Sequence, residues 1–160
     1  MKTLIIYSTK HGTAEKAVNI LKSKLKGEVH TVNIMLEPVT AVEEYDNIIL
    51  GGSIYIGKIQ KKLSTFVNTN LPLLLEKKIG LFICAGEEDE ALKEKEFIIA
   101  FPPTLFDHAI AKEVFGFEFD MAKLNFLEKL AMSKVKGFKT STYKLSEEKI
   151  YSFAENMVRV

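Results

Sequence analysis

The chain has no tryptophan, one arginine and one cysteine among its 160 residues. A single cysteine, Cys84, cannot close an internal disulfide, so a reducing, cytoplasmic setting is the expectation. The lone arginine, Arg159, sits next to the C-terminus, so an anion site elsewhere must draw on lysine, hydroxyls or backbone N–H groups. An excess of either charge is also missing. The formal net charge is +1, and so balanced a chain implies neither nucleic acid nor a strongly charged partner. No apolar run approaches the roughly 20 residues of a membrane-spanning helix. The opening run, Leu4 to Tyr7, is shorter than the roughly 7–15-residue core of a secretory signal. There is no internal repeat, low-complexity tract or linker, and one domain over residues 1–160 is expected.

What is present is an apolar share of 47 % arranged as strands alternating with helices. Thr3–Ser8 is a short apolar run without helical period and reads as a buried strand. Ala14, Ala17, Val18, Leu21 and Leu25 then recur at helical spacing, with Gly27 closing that helix. Val29 to Ile34 forms a second strand, and Glu37–Tyr45 a polar connection containing Pro38. A third buried strand, Asn47–Leu50, runs into Gly51-Gly52-Ser53. Ile59, Leu63, Phe66 and Val67 mark a helix. A fourth strand, Lys78–Cys84, is followed by a helix from about Glu90 to Ala100 that Pro102-Pro103 breaks. Ala111–Phe119 reads as a fifth strand or extended segment, Met121–Lys136 has mixed helical character, and Ser146 caps a last helix. This alternation argues for a parallel sheet covered on both faces. Ligands of such sheets sit beyond the carboxyl ends of the strands, where strand order reverses.

The loop after the first strand reads Ser8-Thr9-Lys10-His11-Gly12-Thr13. A helix N-terminus there offers unpaired N–H groups and a partial positive charge, and three hydroxyls and a glycine surround them. A phosphate monoester suits that chemistry. The residues alone equally allow a plain strand–helix turn in which Thr13 caps the helix. His11 reads as a surface loop residue. The chain has no G-x-x-x-x-G-K-[ST] and no G-x-G-x-x-G, which sets aside P-loop and dinucleotide sites. Phospho-acceptor receivers need aspartates at the ends of strands one and three, where this chain has Tyr7-Ser8 and Gly51-Gly52-Ser53.

Tyr7-Ser8-Thr9-Lys10-His11-Gly12-Thr13-Ala14-Glu15-Lys16 resembles the Y-x-S-K-x-G-T-x-E-K variant of the flavodoxin phosphate signature. Lys10 and His11 stand where most flavodoxins have Thr-Gly. Gly51-Gly52-Ser53-Ile54-Tyr55-Ile56-Gly57-Lys58 resembles the G-x-S-I-x-x-G of flavodoxin-type protoporphyrinogen dehydrogenases and their relatives. The resemblance implies a flavodoxin-like doubly wound α/β fold, with a five-stranded parallel sheet in the order 2-1-3-4-5 and an insertion after strand five. It implies FMN as cofactor, with Ser8, Thr9, Lys10, His11, Gly12 and Thr13 at the phosphate. Ser53, Ile54, Tyr55, Ile56 and Gly57 would meet the flavin ring, with Tyr55 stacked on it. Ala85, Gly86 and Glu87 would meet its pyrimidine end. The alternative for Tyr55 is an ordinary half-exposed loop tyrosine; the residues favour stacking, since an aromatic between glycines at a strand's carboxyl end is well placed for a planar ligand. Phe97 and Cys84 read as core, Cys84 as a small buried hydrophobe.

The expected function is that of an FMN-dependent oxidoreductase exchanging electrons with a quinone or similar acceptor; a non-enzymatic electron carrier is the alternative. No catalytic acid or base is assigned, no metal is expected, and the oligomeric state is left open. Met121–Lys139 holds five lysines, Lys123, Lys129, Lys134, Lys136 and Lys139, against one acid, Glu128. Its position matches the insertion of the quinone-linked relatives. Weak contact with an anionic membrane surface is one expectation for it, and a helix packed on the domain is the other.

Overall fold

The computed structural model describes residues 1–55, 57–86, 90–118 and 145–159. The Met121–Lys139 segment, Ile56 and Glu87 therefore lie outside the described residues.

Strands β1 (Lys2–Ser8), β2 (Glu28–Asn33), β3 (Asn47–Ser53), β4 (Lys78–Cys84) and β5 (Ala111–Val114) pair in parallel in the order β2-β1-β3-β4-β5. This is the order the resemblance implies. β3 is buried along its whole length, and β1 and β4 everywhere except their first residues, while the edge strand β2 has no buried residue. That pattern explains the uninterrupted apolar runs of the three central strands, which have a helical layer on each face.

Side-chain alternation sends each strand into two separate cores. Leu4, Ile6, Ile48, Leu50, Leu81 and Ile83 face α2 (Lys61–Thr69), α3 (Leu71–Leu74), α4 (Glu90–Ala100) and α5 (Pro103–His108). Ile5, Tyr7, Ile49, Phe82 and Cys84 face α1 (Thr13–Lys24) and α6 (Glu147–Val158). The α1 stripe is the one expected, with Ala14, Ala17, Val18 and Leu21 buried. Ser146 caps α6, its hydroxyl accepting from Lys149 N at 3.2 Å.

The structure adds two short helices that the sequence reading did not mark, α3 and α5. Pro102-Pro103 ends α4, but Pro103 also opens α5, because a first helical residue needs no N–H. Of Ala111–Phe119, read as a strand or extended segment, β5 takes Ala111–Val114. Phe115 N still donates to Ile83 O at 2.9 Å, and Gly116, at φ +94, then leads the chain away and bridges Leu145.

The α1/α6 core is centred on aromatics. Phe82 stacks on Phe115 with centroids 4.8 Å apart, and Phe153 meets both edge-on. The Phe82 ring lies over Gly51 of the neighbouring strand, where a Cβ would run into it. Gly51→Ala should therefore overpack the sheet and cost about 1–3 kcal/mol. Urea unfolding measures this, and an unchanged midpoint would refute the close packing.

Candidate functional site

The connections after β1, β3 and β4 meet at the carboxyl edge of the sheet. α1 starts there without a side-chain cap among the described residues. Gly12 holds the N-cap position at φ +90, and the first helical bond runs from Lys16 N to Gly12 O at 3.1 Å. Thr13 is thus the first helical residue and not the cap. Helix geometry leaves the N–H groups of Thr13, Ala14 and Glu15 without carbonyl partners inside the helix.

The three hydroxyls of this loop do different things. Thr9 Oγ1 accepts from Gly12 N at 2.9 Å and keeps its O–H as a donor. Ser8 belongs to the opposite sheet face from α1, and its hydroxyl donates to Gln60 Oε1 at 2.7 Å. Thr13 Oγ1 donates to the Glu118 carbonyl at 2.8 Å. Of the three, Thr9 alone has no acceptor for its O–H among the described residues.

Ser53 supplies a second hydroxyl from β3. It pairs in register with Cys84 and alternates with Ile49, which places it on the α1 face of the sheet. It is 6 % exposed, and its Oγ has no hydrogen-bond partner among the described residues. A buried hydroxyl is rarely left so unless a further group completes it. Ile54 N then donates to Cys84 O at 2.9 Å and fastens the loop to β4. Tyr55 and Lys58 exchange both backbone bonds, at 2.8 and 3.1 Å, around a tight turn. Gly57 holds the third position at φ +72 with open space around it, so conformation and not room calls for glycine.

Tyr55 joins the first two loops. Lys10 Nζ lies 3.9 Å from its ring centroid, and the His11 ring meets it edge-on at 5.8 Å. His11 is therefore half-buried against Tyr55, not an isolated surface residue. Of the third loop, Ala85 is buried and Gly86 exposed, beside the end of β4.

Other candidates resolve into core. Phe97 is buried with Phe101 and Phe106 near it, so it offers no ring to a ligand. Cys84 is fully buried, and burial pushes its thiol pKa far up. Burial, and then the charges of Glu15 and Glu37, raise the pKa of Tyr7, which stays a neutral phenol near the edge. Sequence reasoning did not find Gln60 or Glu118. Glu118 carries no local signal, because it reaches Thr13 across 105 positions.

The donors present suit a phosphate monoester joined to a flat ring. The α1 N–H groups, the Thr9 O–H and the Ser53 O–H are all donors, and Tyr55 offers an aromatic surface. A flavodoxin domain model matches residues 4–147. The chain belongs to the flavodoxin domain family. Oxidised flavodoxin 1 from Bacillus cereus superposes with a TM-score of 0.56 at 15 % identity, covering 99 % of this chain and 98 % of that one. A Fusobacterium nucleatum flavodoxin bound to flavin mononucleotide gives 0.54 at 15 %, covering 99 % and 97 %. A WrbA-like flavodoxin from Agrobacterium tumefaciens gives 0.56 at 12 %, covering 99 % and 94 %. At such identities the likeness speaks for the fold. No curated protein matches the chain in sequence. Among the described residues no helix is long and apolar enough to cross a membrane.

The burial of Cys84 gives a direct expectation. With its pKa raised, the thiol is protonated and enclosed at neutral pH, so a thiol reagent should not react with native protein at pH 8 and should react fully after unfolding. Rapid native labelling would contradict this.

Proposed function

We propose that this flavodoxin domain binds FMN at the carboxyl edge of its sheet and passes electrons through it. The observation that carries the reading is the coincidence of two donor sets on one sheet face: the start of α1 and the buried hydroxyl of Ser53, the one uncapped and the other unpartnered among the described residues. Both are donors, and a phosphate oxygen is the acceptor that both would serve. FMN supplies one- and two-electron redox chemistry, which no side chain of this site provides.

The chain's own residues have separate tasks. The N–H groups of Thr13, Ala14 and Glu15, the Thr9 hydroxyl and the Ser53 hydroxyl hold the phosphate. Tyr55 lies against the flat ring, and the Gly57 turn brings backbone close to it. Ala85 and Gly86 close the far end, where Glu87 is also proposed to lie. Lys10 and His11 line the space between phosphate and ring through their contacts with Tyr55.

The proposed acceptor is a quinone or similar molecule, as in the protoporphyrinogen-dehydrogenase-like relatives. The Gly51–Lys58 motif and the added segment after β5 support that subgroup. The near-neutral charge also sets this chain apart from carriers that dock through a strongly acidic face. The basic segment Met121–Lys139 is proposed to meet an anionic membrane surface, where quinones reside.

Three measurements test the reading. Apoprotein titrated with flavins should bind FMN at least about tenfold tighter than riboflavin, since hydrogen bonds to a charged group contribute about 1.5–3 kcal/mol each. Equal affinities would remove the phosphate site. Tyr55→Ala should weaken FMN by about 1–3 kcal/mol, the scale of base stacking on aromatics, and change the flavin spectrum. Wild-type affinity with an unchanged spectrum would return Tyr55 to an ordinary loop role. Steady-state reduction of a soluble quinone by holoprotein supplied with an electron donor separates enzyme from carrier, and no turnover would favour the carrier.

A further inference from the structure

After β5 the chain turns at Gly116 and reaches Glu118, which lies across the first turn of α1. The Thr13 hydroxyl donates to the Glu118 carbonyl at 2.8 Å, and Lys16 Nζ lies 2.7 Å from the Glu118 carboxylate. The two contacts span 105 and 102 sequence positions. Neither contact satisfies a backbone N–H of α1, which has no side-chain cap among the described residues. Instead Glu118 takes up the two side chains at the start of α1 that can donate to an anion, one through its carbonyl and one through its charge.

We propose that Glu118 is an affinity- and selectivity-determining residue for the phosphate end of the ligand, acting as an acidic competitor built into the chain. The proposal rests on the FMN reading of the site. A carboxylate beside a helix N-terminus is favoured by the helix dipole, and here it also neutralises Lys16. A phosphate arriving at the same turn meets a like charge and a lysine that is already paired, both of which oppose its binding. Riboflavin has no phosphate and is indifferent to that charge. Glu118 therefore lowers the preference for FMN over riboflavin below what the donors alone would give. A residue that merely held the loop in place would act in the opposite sense, with its loss loosening both flavins alike.

The test is flavin fluorescence quenching on apoprotein, with FMN and riboflavin as probes, for wild type, Glu118→Gln and Glu118→Lys. Glu118→Gln keeps the backbone carbonyl and the side-chain shape, so the Thr13 bond stays. FMN should bind about threefold to fivefold tighter to Glu118→Gln, the scale of an exposed charge pair, and tighter still to Glu118→Lys. Riboflavin affinity should not change, and the gain for FMN should shrink as salt is raised. Unchanged or weaker FMN binding in both variants, or equal changes for the two flavins, would overturn the proposal. If wild type binds neither flavin, the FMN reading itself fails. The competitor role is then read with inorganic phosphate in thermal unfolding. A larger phosphate-induced rise in Tm for Glu118→Gln than for wild type supports it, and equal rises refute it.

Discussion

The N–H groups that open α1 have no carbonyl partners in their own helix and no side-chain cap among the described residues, and this one constraint organises the carboxyl edge of the sheet. The helix must start there because β1 is central and its crossover has to return over the sheet. Gly12 holds the cap position in a left-handed conformation and has no side chain with which to cap. The donors left over favour a negative group at that point. Within the chain Glu118 supplies one nearby, and the phosphate of FMN is the proposed external one.

Strand alternation decides which side chains take part. The same parity that puts Ile5 and Tyr7 on the α1 face puts Ser8 on the other, where Gln60 accepts its hydrogen bond. Ser53, four residues on from Ile49 in β3 and of the same parity, comes out on the α1 face with its hydroxyl unpartnered among the described residues. Neighbouring residues of one motif therefore serve opposite sides of the sheet. Gly51 belongs to this arrangement too, because its missing Cβ admits the Phe82 ring on which the α1/α6 core is stacked. The site and the core are thus set by the same short stretch of β3.

Much of this could be read from local pattern. Uninterrupted apolar runs marked the central strands, because burial on both sheet faces leaves no alternation, and the spacing of Ala14, Ala17, Val18 and Leu21 marked α1, because burial on one helix face leaves a periodic trace. The loops at Thr9–Thr13 and Ser53–Gly57 were recognisable because glycine and hydroxyls cluster there. The helix Pro103–His108 escaped, since a proline pair reads as a break although proline suits a first helical position. The partners of the loop hydroxyls escaped for a different reason. Gln60 lies 52 positions from Ser8 and Glu118 lies 105 from Thr13, so only the folded sheet brings them together. Tyr55 was marked as a stacking ring, but its contacts with Lys10 and His11 depend on how two loops approach in space.

The central claim is that a phosphate group is held by the first turn of α1 together with Ser53. Backbone amide NMR on isotopically labelled apoprotein titrated with FMN tests it most directly. The account predicts large downfield amide shifts at Thr13, Ala14 and Glu15, with a change at Ser53, and smaller shifts at α1's first turn when riboflavin replaces FMN. Shifts of equal size with both flavins at these amides, or none there while other regions respond to FMN, would contradict it.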